Sequence, residues 1–260
     1  MCSITYAYRH RVPLLTLLAL AVPLSPLCVA GLNDTGMSTF GNASQGDLAS
    51  EPADYPNQDA SSGRDAAARV GTLTKSGGGV AGFDYTKIAN DGTELPAEAS
   101  LGTGRTDWGC VRDNVTSLMW EVKTADNGPR DYTWTYTWYD SNTSTNGGSV
   151  GTANGGDCYS TGRCDTEKYV ADVNGASLCG HSDWRMPTKR ELLSLVDYST
   201  TSPGIDRDYF QNTQGWYFWS SSASAYYPDY AWDVCFGGDD TGYGAKNYTY
   251  YVRLVRNVTQ

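Results

Sequence analysis

The sequence predicts an α+β domain with two short helices and several short, mostly antiparallel strands. Three observations carry this. The clearest helix start stands at Pro187-Thr188, where Thr188 and Glu191 have the three-residue spacing of a capping box. Short apolar runs of period two recur on both sides of it. Helical and extended runs follow one another in mixed order, without the strict strand–helix alternation of a doubly wound sheet.

From the N-terminus, Arg9, His10 and Arg11 precede an apolar run from Val12 to Ala30, interrupted by Pro13, Pro23 and Pro26. A cationic start, a short apolar centre and the small residues Ala30-Gly31 describe an export signal over residues 1–30, cut after Ala30. The uninterrupted apolar stretch falls short of the roughly 20 residues that a permanent span needs. Cys28 offers a lipid anchor as the alternative, although Leu27 is bulky for such a site. Residues 31–80 are rich in Gly, Ser, Ala, Asn and Asp and poor in large apolar groups, which predicts a flexible stalk. The ligand-binding domain is expected over residues 81–260.

Within it, Phe83, Tyr85 and Lys87 alternate with Asp84 and Thr86 before the hairpin-type turn Asn90-Asp91-Gly92, and Thr93-Glu94-Leu95 returns. Leu118 to Val122 reads as a buried strand. Tyr132, Trp134, Tyr136 and Trp138 alternate with threonines, which predicts a strand with one wet face. Residues 141–156 form a Ser/Thr/Asn/Gly loop, functional or mobile. Asp165 or Thr166 caps a helix with Tyr169, Val170 and Val173 inward. In the central helix Leu192, Leu195 and Val196 share a buried face, Trp184 plugs the core beside it and Arg185 ties down backbone carbonyls. Trp216 to Ser222, Trp232 to Phe236 and Tyr251 to Arg256 complete the strands.

An export signal removes Arg9 and Arg11, leaving 17 of the 19 Lys and Arg against 29 Asp and Glu, a net charge of −12. That balance argues against a nucleic-acid partner. One histidine, His181, remains, which removes most schemes built on several. Five cysteines remain as disulfide candidates of an exported chain. Cys158 and Cys164 clip a glycine-flanked loop, Cys110 and Cys179 join the start of the domain to the segment before the central helix, and Cys235 is left over. No Cys-x-x-Cys spacing favours zinc. No metal or other cofactor is called for.

Cys110 to Glu121, Asp183-Trp184-Arg185-Met186-Pro187-Thr188, and Trp219-Ser220-Ser221-Ser222 with Trp232-x-Val234-x-Phe236 and Val252 to Arg256 resemble three motifs of the bacterial Lcl C-terminal domain family. The resemblance runs from about Gly82 to Asn257, with Ser117 where the family pattern has Gly. It implies a C-type-lectin-like fold, related in architecture to formylglycine-generating enzymes, in an exported surface protein. Members include an adhesin for sulfated polysaccharides, a ligand class that a chain of net charge −12 repels. The segment Ala225 to Tyr251 is further similar to the variable region of diversity-generating retroelement target proteins. There, adenine-directed mutagenesis rewrites codons between fixed residues.

The expected binding face is therefore Tyr226, Tyr227, Asp229, Tyr230, Asp233, Cys235, Asp239, Asp240, Tyr243, Asn247 and Tyr248. Tyrosine among small polar residues is the composition of paratopes, where rigid rings give contact area at low entropy cost. Alternation places Asp233 and Cys235 outward and Trp232, Val234 and Phe236 inward. The resulting expectation is an exported, surface-displayed binding protein, adhesin-like or receptor-like, for an unknown protein or glycan on another cell or a host. A lectin-type adhesin without diversification is the alternative, and calcium ligation by Asp239 and Asp240 a weaker variant. The least favoured reading is an enzyme related to the formylglycine-generating ones, with Cys158 and Cys164 as its reactive pair, since these two look like a clip and no other nucleophile or base arrangement is marked.

Overall fold

The computed structural model describes residues 33–238 and 240–258. The expected export signal, with Cys28, lies outside the described residues, as does Asp239. In chain order the elements are α1 (Gly63–Arg69), β1 (Tyr85–Ala89), β2 (Glu94–Leu95), β3 (Trp108–Asp113), β4 (Leu118–Glu121) and β5 (Tyr136–Thr137). There follow α2 (Thr166–Gly175), α3 (Lys189–Leu193), β6 (Tyr217–Ala223), β7 (Tyr230–Cys235), β8 (Asp240–Ala245), β9 (Thr249–Tyr250) and β10 (Val255–Asn257). The fold is α+β.

Five antiparallel strands form one sheet in the order β10-β4-β3-β1-β2. The turn at Asn90-Asp91-Gly92 sets the first hairpin, pairing Lys87 with Leu95. The end of the chain returns beside β4, pairing Val255 with Trp120. A second sheet has the order β6-β7-β8, and β5 and β9 make a two-stranded ribbon. One apolar cluster joins Trp108 and Trp120 of the first sheet to Leu192 of α3 and to Phe218, Val234 and Phe236 of the second. Another gathers Tyr136, Trp138, Tyr169, Val173, Trp184 and Trp219 around α2.

The two expected helices form with their expected caps. Asp165 accepts the Lys168 N–H at 2.9 Å, which settles the α2 cap, and Tyr169 and Val173 are buried. Thr188 and Glu191 complete the capping box of α3, and Leu192, Leu195 and Val196 are all buried. The helix is shorter than the apolar spacing suggests. After Leu193 the chain tightens, with Leu195 N–H bonded to Leu192 O and Val196 N–H to Leu193 O, so these two side chains reach the core from a turn. Trp184 is buried and donates its indole N–H to Leu178 O at 3.0 Å. Arg185 mainly grips the capping Glu191, with Nη–Oε contacts of 2.8 and 2.6 Å, and adds Asn257 Oδ1 at 2.8 Å.

Both disulfides pair as the spacing suggests. Cys110–Cys179 has Cα atoms 6.5 Å apart, and Cys158–Cys164 has them 5.4 Å apart. Beneath α2, Glu121, Lys123 and Arg253 are buried together. Lys123 Nζ lies 3.0 Å from Glu121 Oε1 and 2.8 Å from the Tyr169 hydroxyl, while Arg253 donates to Glu121 O at 2.7 Å.

Two expectations are corrected. The run Tyr132 to Trp138 contributes only two strand residues, and its threonine side is not uniformly wet. Thr137 is buried, its hydroxyl bonded to Cys164 O and accepting the Gly155 N–H. The segment expected as a flexible stalk is, from Asn33 to Val80, packed on the domain. Asn33 Nδ2 donates to Asp113 Oδ2 at 2.5 Å and to Ser194 O at 3.1 Å, and Tyr198 N–H to Thr35 O at 2.9 Å. Buried Asp65 in α1 accepts the Gly82 N–H at 2.6 Å, and Val80 N–H reaches Asp206. Polar side chains and backbone rather than apolar area do the anchoring, which is why a count of large apolar residues missed it.

Candidate ligand-binding faces

The β6-β7-β8 sheet carries the proposed binding segment, and its register sorts the candidates. Trp232 lies opposite Tyr243 and Asp233 opposite Gly242, so the two neighbours on β7 face opposite sides. On the side of Trp232, rings pack into one continuous cluster. Tyr227 stacks on Tyr243 at 5.9 Å between ring centres, and Tyr230 and Trp232 meet the Tyr243 ring edge-on at 5.8 and 5.7 Å. Tyr226 extends the cluster from the loop before β7 and is 90% exposed. Lys189, the first residue of α3, places Nζ 3.7 Å over the Trp232 ring. Asp229 is exposed beside the cluster.

A groove of about 890 Å³ adjoins this cluster. Ser144 and Thr145 form one wall and Ser221 to Ala225 another, with Asp140 and Arg185 as its charged groups. It ends at Ala225, directly before Tyr226. The loop 141–156, whose role composition alone left open, thus helps to shape the site. Its position is fixed by Lys246, a buried residue inside the binding segment. Lys246 Nζ donates to Asn146 O, Ser149 O and Pro228 O at 2.8, 2.7 and 2.6 Å, and lies 4.1 Å from the Trp138 ring centre. Burial lowers its pKa.

The other side of the sheet carries a second aromatic row. Exposed Tyr248 neighbours Tyr250 at 6.2 Å, Tyr250 stacks on Tyr217 at 5.1 Å, and Tyr217 meets exposed Trp216 at 5.1 Å. Tyr250 also covers Trp219 at 4.3 Å. Asn247, in the turn before β9, and Asp240, at the start of the edge strand β8, are exposed.

Two expected binding residues are not on a free surface. Asp233 is 1% exposed and Cys235 7% exposed. Their side of β7 is covered by the ribbon that brings Tyr250, so alternation placed them correctly opposite Val234 but wrongly in solvent. Conversely, Trp232 and Tyr243 share the outer part of the face whose inner part, at Val234 and Phe236, is core. Burial pushes the Asp233 carboxyl up to about 6, with the Asp240 charge adding to it and the Gly242 N–H opposing it. Tyr250 is pushed up to about 12 by burial and by Asp233. The sequence reading missed Trp216, Tyr217 and Tyr250 as surface groups and Lys189 and Lys246 as supports. Only Tyr217, two residues before Trp219 and therefore on its face, could have been inferred.

Compared with known proteins, residues 109–256 match the model of the Lcl C-terminal domain family, more than half of the chain. The match begins inside β3, so the β1–β2 hairpin paired with that strand lies ahead of it. No match was found among curated proteins or solved structures.

Proposed function

The chain belongs to the Lcl C-terminal domain family, and on that premise we propose that it is an exported, surface-displayed binding protein whose paratope is the Tyr226–Tyr243 aromatic cluster. The observation that carries this reading is the contiguous packing of Tyr226, Tyr227, Tyr230, Trp232 and Tyr243 on the β7–β8 hairpin and the loop before it, with Tyr226, Tyr227 and Tyr243 exposed. A soluble chain leaves such a patch open for a partner more often than for solvent alone. Export is supported by two disulfides, and among the described residues no helix is long and apolar enough to cross a membrane. A binding rather than catalytic role is consistent with Cys158 and Cys164 being joined to each other, which leaves neither as a nucleophile.

The test is substitution of Tyr226, Tyr227 and Tyr243 by Ala, read by retention on intact bacterial and animal cells and on a glycan array. Loss of retention with an unchanged melting curve supports the face; loss of folding assigns those rings to the core and overturns it. Diversification of the segment is part of the proposal. It requires a near-identical DNA repeat of the region encoding residues 216–256, differing at adenines, beside a reverse transcriptase gene. The lectin-type reading is favoured by one observation, the hydroxyl-lined groove ending at Ala225 beside the rings, since sugars pair hydroxyls with stacked rings. Ser144→Trp, which obstructs that groove from the wall away from the rings, distinguishes them: it abolishes glycan retention and spares a protein ligand held by the rings alone.

A further inference from the structure

A cavity of about 260 Å³ lies between α2, the Cys158–Cys164 clip and the loop at Pro129, and shares no residue with either aromatic row. We propose that it is a second ligand site, for a small neutral aromatic compound carrying one hydroxyl group. Its volume suits such a ligand, since an apolar cavity of about 150 Å³ holds benzene.

The walls are aromatic and aliphatic. Tyr136 and Tyr169 pack at 4.6 Å between ring centres, and Val173 and Leu178 complete the apolar lining. The walls are also fixed in advance. Cys158 is in the lining, and Leu178 precedes Cys179, which is bonded to Cys110 of β3. A preformed site loses little ordering entropy on binding.

Charge selects a neutral ligand. Arg130 spends its guanidinium on Gly109 O, Val122 O and Asn90 Oδ1 at 3.0, 3.0 and 3.1 Å. Arg163 and Asp172 close on each other through three contacts of 2.5 to 3.0 Å. No unpaired cation or anion of the lining is left for a charged ligand. The Tyr169 hydroxyl is engaged by Lys123, and Tyr136, in the lining and 2% exposed, carries the other enclosed hydroxyl. Burial raises its pKa far above the usual phenol range, so it stays a protonated donor and acceptor. One such group satisfies a single ligand hydroxyl, whereas a sugar would bury several without partners.

The probes are p-cresol and toluene, titrated into the folded chain and followed by the methyl resonances of Val173 and Leu178. Saturable p-cresol binding at concentrations below about 10 mM is expected. Tyr136→Phe should weaken p-cresol roughly fivefold and leave toluene unchanged, the size of one neutral hydrogen bond. Ala176→Trp, at an exposed rim position, should block both probes with no change in melting. Absence of saturable shifts for either probe overturns the site. Equal weakening of both by Tyr136→Phe, or binding indifferent to Ala176→Trp, overturns the assigned chemistry or location.

Discussion

Asp233 is an acid held where its charge is poorly solvated, between the sheet and the ribbon carrying Tyr250. Its folded-state pKa, about 6, lies above the ordinary 3.8. A raised pKa means that the folded state prefers the proton. The stabilisation is complete below the ordinary value and is lost as pH rises through 6. Asp233→Asn should therefore be more stable than the parent at pH 7, by about 1–3 kcal/mol, and equal to it near pH 3.5. Urea midpoints of both chains at the two values measure this; a variant weaker at pH 7 would mean that the carboxylate is stabilised by contacts beyond Gly242. Buried Glu121, unlike Asp233, stands among cations. It neutralises Lys123, whose pKa burial lowers to about 8, and its carbonyl and carboxylate hold Arg253 and the Leu254 N–H. Glu121→Gln leaves two enclosed cations facing no anion, which should cost about 3–5 kcal/mol in urea unfolding. A loss below 1 kcal/mol, on that same scale, would show that water reaches the group.

At the scale of elements, the β7–β8 hairpin displays the rings and Lys246 fixes the loops around them. Because its ammonium joins three carbonyls of two loops, Lys246→Met keeps the chain length but frees residues 146–149 and Pro228. The expected result is faster amide exchange in both loops and a loss of about 2 kcal/mol, with α3 unaffected. Thr188→Ala should loosen α3 instead, by about 1 kcal/mol. These elements differ in how legible they were. The caps of α2 and α3, the first hairpin and the buried strand at Leu118 depend on neighbours within a few residues, and local spacing reveals them. Asp233 and Cys235 do not. Alternation assigns them a side of β7, but whether that side meets water depends on a ribbon whose partner strand, β5, lies almost 100 residues earlier in the chain. Lys246 was invisible for the same reason: inside a polar segment, a clamp and a solvated lysine look alike.

For the whole molecule, the question is where the folding unit begins. The family match starts at residue 109, yet β3 pairs along its length with β1, and residues 33–80 bond in turn to both. Ser76 and Gly77 donate to Asp84 at 2.8 Å each, Asp65 holds Gly82, and Asn33 spans Asp113 and Ser194. Asp113 already serves the turn after β3, accepting the Val115 and Thr116 N–H groups, so Asn33 braces a carboxylate that itself orders the sheet. A chain begun at Gly82 loses these bonds. The two that Asn33 makes to Asp113 and Ser194 brace the sheet directly, at roughly 0.5–1.5 kcal/mol each, so the expected net loss is about 2 kcal/mol. It should appear as a lower urea midpoint for the shorter chain than for one begun at Asn33, with faster exchange confined to Asp113–Thr116 and Tyr198. Equal midpoints and equal exchange would return the segment to the role of a stalk. A lower midpoint would place the start of the unit well ahead of the matched family span, with the polar arm acting as the seam that closes the first sheet.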